Sequence, residues 1–329
     1  MATTTQDQDQ GGDGPLARWT QSAISNPGKV YRALFYAAMI FFLVTTLFPF
    51  YWLLVLAITP EGNLLAGSFL PQIAGITIPL PTPKGFNPEA FVSVFEQVPF
   101  HLYMLNSFAL AVTTTVIVLF VASLAGYVFG RLRFPGRALL MLGILAISYF
   151  PPAAFVIPLF QAFAGNAPIT VPFTDIPLFT PPRLLNTPGS MVLPFSALFM
   201  PLSIFILTTF YGQIPDGLED AARVEGTTRL GALFRVIMPL SAPGVATASV
   251  LTFIAVYNEY FFSSIMATSP EASKWSPIVG GILSYQTQYT TQYNLMAAAS
   301  IVGVLPVVIL VIVAQERIVS GLTSGALKE

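Results

Sequence analysis

Six apolar runs, each long enough to cross a lipid bilayer, constrain this chain more than any other feature of its sequence. A helix of about 20 apolar residues spans the hydrocarbon core of a bilayer, because each residue adds about 1.5 Å. With 54% hydrophobic and only 9% charged residues, the chain cannot present an ordinary water-facing surface. The sequence therefore predicts an all-α integral membrane protein with six transmembrane helices. The runs occupy residues 34–58, 105–128, 139–163, 191–211, 245–266 and 295–314.

The composition also excludes several classes of function. A formal net charge of -1 lacks the concentrated basic face that binding to nucleic acid requires. The chain has no cysteine and a single histidine, His101, so we expect neither a disulfide framework nor a metal site. No G-x-x-x-x-G-K-[ST] phosphate loop is present in the sequence, so we do not expect the chain to hydrolyse ATP by that route.

The distribution of positive charge predicts the orientation of the spans. Lys and Arg near span ends are retained on the cytoplasmic side of a membrane. Of the 14 Lys and Arg residues, only Lys84, Arg183 and Lys274 fall on one of the two sides. Both termini and the polar segment 213–243 are therefore predicted to be cytoplasmic. The predicted extracytoplasmic loops are residues 59–103, 164–190 and 267–294.

Two segments outside the spans have unusual composition. Residues 1–28 are rich in Gln, Asp, Gly and Thr and contain no apolar run, which predicts a disordered cytoplasmic tail. The loop 164–190 is rich in proline. Such a loop is either a rigid cover over the span ends or a docking surface for an external partner, and the sequence leaves both interpretations open.

Proline also occurs inside the spans. Each proline removes a backbone donor and can bend the helix, so the spans could splay around a translocation cavity. Proline is nevertheless tolerated in membrane helices, because neighbouring helices can satisfy the freed carbonyl groups. These residues are Pro49, Pro151, Pro152, Pro158, Pro194, Pro201 and Pro306.

One carboxylate, that of Glu259, lies within a predicted span. Its run is Tyr257-Asn258-Glu259-Tyr260, about four residues from the centre of the span toward the outer face. A charge near the bilayer centre costs on the order of 3 kcal/mol, so this side chain is expected to face the protein interior or water. It either forms hydrogen bonds that anchor the structure or lines the path of a solute.

The segment 213–243 is polar, lies between two apolar runs and has the pattern of two helices. Asp216 followed by Glu219 is an acidic variant of a helix-start pattern, and Gly226 is placed to end that helix. Thr227 or Thr228 can then cap a second helix. The second helix is predicted to stop before Pro239. Its apolar side would consist of Leu230, Leu233, Phe234 and Ile237.

The residues of this segment allow two interpretations. It could be an interfacial amphipathic element whose acids Glu219 and Asp220 complement a helix N-terminus. Alternatively, a short rigid helix with the small residues Ala221 and Ala222 could enter a groove on another protein, with its acids facing basic side chains there.

The spacing of this segment resembles a known motif. Asp220-Ala221-Ala222, three residues, Gly226, nine residues and Val236-Ile237-Met238-Pro239 are similar to the E-A-A, three, G, nine, I-x-L-P loop of ABC importer permeases. That loop is the coupling helix that docks on the ATPase subunit. In this chain Asp, Val and Met stand where Glu, Ile and Leu are usual.

The resemblance extends over nearly the whole chain after the tail and is to the maltose-type carbohydrate permeases, specifically their MalG-like subunits. In that family the stretch W-N-E-F corresponds to residues 257–260, with Tyr257 here in place of Trp. The loop 164–190 is longer than is usual for the family. The similar fragments are residues 86–89, 105–107, 125–127, 131–136, 257–260 and 321–328.

This resemblance implies a type I ABC importer permease fold and a multi-pass location in the cell membrane of a bacterium or archaeon. Residues 29–329 would form a six-span permease domain, with 213–243 as the coupling loop and 164–190 as a Pro-rich extracytoplasmic loop. The implied function is that of the transmembrane permease subunit of an ATP-driven importer for a sugar or oligosaccharide, in which closure of the ATPases drives alternating access.

The resemblance also implies partners and site residues. The partners are a second, MalF-like permease subunit, two ATPase subunits that bind ATP and Mg²⁺, and an extracytoplasmic sugar-binding protein; no cofactor is expected in this chain. Contact with the ATPases is implied for the C-terminal residues Gly321, Gly325 and Lys328, and a place in the solute pathway for Asn258 and Glu259. The implied ATPase-coupling residues are Glu219, Asp220, Ala221, Ala222, Gly226 and Pro239.

Rival classes require features that the sequence lacks. A membrane-embedded enzyme would need clustered His, Asp, Glu or Cys within the spans. A secondary transporter or channel would more often show several intramembrane charges, or two matching halves with broken helices. The alternatives that stay open are an ABC importer permease for a non-sugar solute and a secondary transporter or channel.

Overall fold

The structure is a computed structural model, and it describes residues 27–73, 75–78, 80–166, 168–170 and 176–326. The predicted disordered tail lies outside this part of the chain except for its last two residues. The described residues fall into two units, which divide between Val55 and Leu56. The second unit contains the polar segment 213–243 and the helices that pack against it.

Helices dominate both halves of the described chain. The first half contains α1 (Pro27–Ile58), α2 (Glu61–Leu64), β1 (Gln72–Ile73), β2 (Ile76–Thr77), α3 (Ala90–Gln97), α4 (Phe100–Arg131), α5 (Arg137–Ser148) and α6 (Ala153–Phe163). The second half contains β3 (Ile169–Thr170), β4 (Pro177–Phe179), α7 (Gly189–Gly212), α8 (Asp216–Val224), α9 (Arg229–Ala232), a π-helix (Leu233–Ile237), α10 (Met238–Leu240), α11 (Ala242–Tyr257), α12 (Phe261–Met266), a 3₁₀ turn (Ala272–Lys274), α13 (Ile278–Leu283) and α14 (Tyr293–Ala326). Strands β1 and β2 pair antiparallel, as do β3 and β4.

The described helices account for the predicted number of spans. Four are long and apolar enough to cross a membrane singly, namely Val30–Ile58, Phe100–Arg131, Gly189–Gly212 and Tyr293–Gln315. Two further pairs reach that length together, and each is sharply bent. Arg137–Ser148 and Ala153–Phe163 meet at 84°, and Arg229–Leu240 and Ala242–Tyr257 meet at 85°. Counting each bent pair as one span by length and composition gives six, although the second pair includes residues 229–240 of the polar segment, whereas the predicted fifth span begins at residue 245.

Within the described residues, proline interrupts a helix at only one of the positions where the sequence predicted that a span could bend. The third apolar run divides between α5 and α6, where Pro151 and Pro152 supply no backbone donors. The other intraspan prolines lie inside helices that continue through them, since neighbouring helices and local adjustments of the backbone can satisfy the carbonyl groups that a proline frees. These are Pro49, Pro158, Pro194, Pro201 and Pro306.

The fifth apolar run, residues 245–266, was predicted to form one span, but the structure divides it into two helices. Helix α11 ends at Tyr257, and a separate helix, α12, begins at Phe261. The segment between them contains Glu259, whose carboxylate provides the reason for the break, as shown below.

Helices α4 and α7 approach each other through two glycines spaced four residues apart. A β-carbon built at Gly126 would lie 2.9 Å from Leu207 Cβ, and one at Gly130 would lie 2.9 Å from the Thr208 carbonyl oxygen. Any side chain at either position would therefore push the helices apart. This is the close backbone contact that G-x-x-x-G spacing permits between membrane helices.

A buried apolar cluster joins these two helices to the segment that follows them. Leu233 and Ile237 of the π-helix are fully buried in this cluster, beside Leu207 and Tyr211 of α7. The polar segment 213–243 is therefore anchored through its second helix to the adjoining ends of α4 and α7. The members of the cluster are Ala122, Tyr127, Phe129, Ile204, Leu207, Tyr211, Leu233, Ile237 and Ala248.

Candidate functional site

The short helix α8 and the corner after it form the most exposed part of the polar segment. Gly226 has φ = 90°, in the left-handed region that glycine adopts without strain. Its N–H donates to the Arg223 carbonyl at 3.0 Å, and the Thr227 N–H donates to the Ala222 carbonyl at 3.0 Å. This pair of bonds is the Schellman motif that ends many helices. The prediction that Gly226 ends the first helix is confirmed.

The start of α8 differs from its prediction. Pro215 occupies the N-cap position, no side chain caps the helix there, and Asp216 is the first helical residue. The acids of the first turn are not used for capping because both contact an arginine, described below.

The second helix begins at the cap that the sequence offered as one of two choices. The Thr228 hydroxyl oxygen accepts a hydrogen bond from the Gly231 N–H at 3.1 Å. The prediction that this helix stops before Pro239 is wrong, because α10 includes Pro239 and ends at Leu240. Proline is tolerated there because it lies in the first turn of α10, where a missing N–H costs little.

The predicted apolar side of the second helix is only half buried. Leu233 and Ile237 enter the core, whereas Leu230 and Phe234 stay exposed. The Phe234 ring stacks on that of Phe120 in α4, with ring centroids 6.4 Å apart. The helix therefore contacts α4 along its inner side and presents a partly apolar outer side.

A buried ion pair holds α8 against the last turn of α4. Glu219 is 8% exposed, and its Oε1 accepts a hydrogen bond from the Tyr127 hydroxyl at 2.5 Å. Its Oε2 accepts one from Arg131 Nε at 2.9 Å. The predicted coupling residue Glu219 thus faces the interior of its own chain.

Arg131 joins this contact to two further groups. Its Nη2 lies 3.0 Å from Asp216 Oδ1, and its Nη1 donates to the Ile214 carbonyl oxygen. The Arg131 side chain is only 4% exposed. Because an arginine presents its donors in a rigid planar fork, one side chain here fixes the entry, the first turn and the inner face of α8. We call this set (Tyr127, Arg131, Asp216 and Glu219) the Arg131 joint.

The opposite face of α8 is open. Asp220 and Ala221 are exposed, Ala222 is half-buried, and Val224 is 89% exposed. The Asp220 carboxylate lies 3.8 Å from an Arg223 guanidinium nitrogen, and both side chains are largely exposed. An ion pair of this kind contributes about 0–1 kcal/mol, so Asp220 can readily exchange partners.

Several residues of this site were not predicted from the sequence. Tyr127 and Arg131 fall in the family-like fragments 125–127 and 131–136, but their contact with Glu219 joins positions about ninety residues apart. The exposed Leu218 and Val224 on α8 were also missed. One sequence feature could have indicated this contact. Arg131 stands at the end of a span, and the following polar segment has more acidic residues than the N-terminus of one helix needs.

The two predicted pathway residues lie at the break between α11 and α12. Asn258 is exposed and donates from its side chain to the Ile254 carbonyl at 3.0 Å. The Glu259 carboxylate accepts hydrogen bonds from the backbone N–H groups of Phe262 at 2.8 Å and Ser263 at 3.1 Å. Glu259 thus caps α12, and this cap explains why a new helix starts after the break.

Glu259 also borders a cavity at the other break of the bundle. This cavity of about 230 Å³ is lined by Pro151, Pro152, Leu198 and Phe262 as well as Glu259. An adjoining apolar cavity of about 320 Å³ includes Pro194 and Pro201 in its wall. Of the intraspan prolines, Pro151, Pro152, Pro194 and Pro201 therefore lie in the walls of these two cavities, whereas Pro49, Pro158 and Pro306 do not.

The remaining predicted positions contribute less. Gly321 and Gly325 belong to the backbone of α14, and Lys328 lies outside the described residues. Within the described residues, no group of three or more His, Cys, Asp or Glu side chains could hold a metal ion.

Comparison with known proteins gives consistent matches. Residues 122–323 match the family described as "Binding-protein-dependent transport system inner membrane component". The chain is 35% identical to the sulfoquinovosyl glycerol transport system permease protein SmoH of Agrobacterium fabrum, over 92% of this chain and 94% of that protein. It is 31% identical to the trehalose transport system permease protein SugB of Mycobacterium tuberculosis, over 86% and 92%. It is 29% identical to the trehalose/maltose transport system permease protein MalG of Thermococcus litoralis, over 90% and 97%.

The fold is also found in a solved structure. A chain of a bacterial ABC transporter involved in the import of the acidic polysaccharide alginate superposes with a TM-score of 0.69. The two chains are 17% identical, and the match covers 89% of this chain and 98% of the other. The predicted fold, that of an ABC importer permease, is confirmed.

Proposed function

Because the chain belongs to the family of binding-protein-dependent transport system inner membrane components, we propose that its segment 213–243 is the surface on which a partner ATPase docks. The chain is the transmembrane permease subunit of an ABC importer, as the sequence predicted. The named substrates of its relatives, a sulfoquinovosyl glycerol, trehalose and maltose, support a sugar or oligosaccharide as the solute.

The two-sided arrangement of α8 carries this proposal. Its inner face is held by the Arg131 joint, and its outer face offers the small and apolar residues Ala221 and Val224 to another protein. A short helix held rigidly from behind loses little conformational freedom when it enters a groove. Asp220 lies on the same open face, where its carboxylate can pair with a basic side chain of the ATPase.

The predicted coupling residues then take different roles. Asp220, Ala221 and Ala222 contact the ATPase, and Gly226 ends the helix so that the contact surface stays short. Glu219 acts as a positioning residue, because its carboxylate is occupied by Tyr127 and Arg131. Pro239 is exposed in α10, near the end of the second helix, and lies at the edge of the docking surface.

The other parts of the importer follow from the same proposal. Segment 213–243 and both termini are cytoplasmic, in agreement with the distribution of Lys and Arg. ATP and Mg²⁺ bind to two separate ATPase subunits, and a second permease subunit completes the pathway. An extracytoplasmic binding protein delivers the solute, and a related alginate transporter has been solved with a periplasmic protein bound. The C-terminal residues Gly321, Gly325 and Lys328 reach the ATPases.

The pathway itself is proposed to pass the two helix breaks. The break at Pro151 and Pro152 and the break at Asn258 and Glu259 border one cavity. Broken helices at the depth of a membrane are tolerated where they line a cavity, since backbone groups freed by the break can reach water or solute there. Closure of the ATPases would move α8, and the spans would then change access at these breaks.

Crosslinking tests the docking assignment directly. The sequence has no cysteine, so Val224→Cys can be paired with single cysteines on the ATPase in the assembled importer. Tyr289→Cys is a matched control, because Tyr289 is also 89% exposed but lies in the predicted extracytoplasmic loop 267–294. We expect crosslinks to the ATPase from position 224 and none from position 289. If position 224 gives no crosslink with any ATPase cysteine, α8 is not the docking helix.

A further inference from the structure

The loop 267–294 is fastened to the start of α4 by a side-chain amide. Asn106 Nδ2 donates to the Ala272 carbonyl at 2.7 Å and to the Ser276 carbonyl at 3.0 Å. One side chain of α4 therefore contacts the first residue of the 3₁₀ turn (Ala272–Lys274) and the chain two residues beyond that turn. Because the acceptors are backbone groups, this contact fixes the path of the loop itself.

Two neighbouring residues of α4 strengthen the attachment. The Tyr103 hydroxyl donates to the Pro270 carbonyl at 2.7 Å, and Ser107 Oγ accepts from the Ile278 N–H at 2.9 Å. Tyr103 and Ser107 are buried. Buried hydrogen bonds are costly to leave unmade, so the loop cannot readily separate from α4. We call this set (Tyr103, Asn106 and Ser107) the Asn106 joint.

Helix α4 connects the two joints without a flexible point. It is one helix of 32 residues, from Phe100 to Arg131. Of the four described helices that are long enough to cross a membrane singly, α4 alone contains no proline. Near the Arg131 joint its backbone also contacts α7 through Gly126 and Gly130, which stiffens that end.

The covalent path from α8 to the same loop is less direct. It passes through a π-helix, an 85° bend between Leu240 and Ala242, and the break between α11 and α12. π-turns and bends of this kind interrupt the regular hydrogen bonding that stiffens a helix. A displacement of α8 would be absorbed at these points before it reached the loop.

We propose that α4 is a strut that transmits the movement of α8 to the extracytoplasmic loop 267–294, with the Arg131 joint at one end and the Asn106 joint at the other. This inference rests on the proposed function, since it takes α8 to be the element that the ATPase moves. Tyr127, Arg131, Glu219 and Asn106 are then positioning residues for coupling, because they touch neither ATP nor solute.

The experiment measures the exposure of the loop 267–294, at the extracytoplasmic end of α4. It uses the assembled importer, with its second permease and its ATPases, in a liposome membrane. A single cysteine introduced by Lys274→Cys, on an exposed position of the loop, is labelled with a membrane-impermeant maleimide. The labelling rate is compared between the nucleotide-free complex and the complex trapped with MgATP and vanadate. No transported solute is needed for this measurement.

Two substitutions loosen the joints and one serves as a control. Arg131→Lys keeps the charge but loses the planar fork that binds three groups, and Asn106→Ala removes both hydrogen bonds to the loop 267–294. Arg133→Lys, at an exposed arginine two residues away, is the matched control. We expect both joint variants to assemble and hydrolyse ATP but to lose roughly fivefold or more of the nucleotide-dependent change in labelling, a factor typical of coupled sites. The control should retain the whole change.

The outcomes separate this inference from the proposed function. A full nucleotide-dependent change in Arg131→Lys or in Asn106→Ala refutes the strut, as does the absence of any change in the parent complex when its ATPase is docked and active. Absence of the crosslinks from Val224→Cys refutes the docking assignment instead. If Arg131→Lys does not assemble, Tyr127→Phe tests the same joint, since it keeps both charges and removes only the 2.5 Å hydrogen bond to Glu219.

Discussion

Replacing Glu219 with Ala should release α8 from the rest of the bundle. The substitution removes the acceptor of the Tyr127 hydroxyl and leaves the Arg131 guanidinium, 4% exposed, without its buried partner. Breaking a buried ion pair from one side costs about 3–5 kcal/mol. Asp216 remains 3.0 Å from Arg131, and its carboxylate is largely exposed, so part of the loss is offset. We expect a net cost of about 2 kcal/mol, which corresponds to a roughly 30-fold rise in local opening.

Amide hydrogen exchange measures this opening at the relevant residues. Exchange reports the free energy of local unfolding even where a membrane protein has no reversible global unfolding transition. The backbone amides of α8 and of the Gly226 corner should exchange about 30-fold faster in Glu219→Ala, whereas those of α4 should change little. The matched control is Asp220→Ala, which removes the neighbouring carboxylate from an exposed pair with a separation of 3.8 Å. This substitution should cost about 0–1 kcal/mol, so the exchange rate of the α8 amides should rise by less than about fivefold.

A double substitution tests whether loss of the buried ion pair is the cause of the faster exchange. When both members of a buried pair are replaced by apolar residues of similar size, stability is often kept or improved. Glu219→Leu combined with Arg131→Met should therefore recover much of the protection that Glu219→Ala loses, and the two sites should be strongly non-additive. If α8 exchanges equally fast in Glu219→Ala and Asp220→Ala, the ion pair does not hold the helix and the reasoning is wrong.

Three further outcomes are expected. Gly226→Val forces a β-branched residue to φ = 90°, so transport should fall relative to ATP hydrolysis while the complex still assembles; wild-type uptake per ATP would contradict the role of the corner. Gly130→Ala places a methyl group 2.9 Å from a carbonyl oxygen of α7 and should lower the thermal midpoint of the importer, whereas Gly143→Ala, with open space around it, should not; equal midpoints would count against the close helix contact. Thr228→Ala should cost about 1 kcal/mol and speed exchange at the Gly231 amide, and unchanged exchange there would show that the cap contributes nothing.

The parts of the site that were predictable are those fixed by local backbone chemistry. Gly226 could be placed because a helix that ends in the left-handed region needs glycine, and the cap was narrowed to Thr227 or Thr228 because hydroxyls bond to the first free N–H groups of a helix. The number of spans followed from the length of each apolar run. The family resemblance then indicated which loop to propose as the docking surface.

The parts that were not predictable depend on contacts between distant residues. Asp216 and Glu219 fit a capping pattern, but the same carboxylates can also bind an arginine, and only the packing of α4 against the segment decides between the two uses. Likewise, prolines removed a donor from several spans, yet among them only Pro151 and Pro152 separate two helices. Whether a helix continues through a proline depends on the helices around it, which the local sequence does not specify.

The length of α4 has a consequence for the lipid environment. A straight helix of 32 residues is about 48 Å long, whereas the hydrocarbon core of a bilayer is about 30 Å thick. Even at a tilt of about 40°, such a helix projects roughly 37 Å along the membrane normal. Asn106 and Arg131 are about 38 Å apart along this helix, so at the average tilt of about 20° they are roughly 35 Å apart along the membrane normal and can lie at opposite edges of the hydrocarbon region. The distance between the two joints is set by the helix instead of by membrane thickness. The same protein can keep its two faces in register in thinner and thicker membranes.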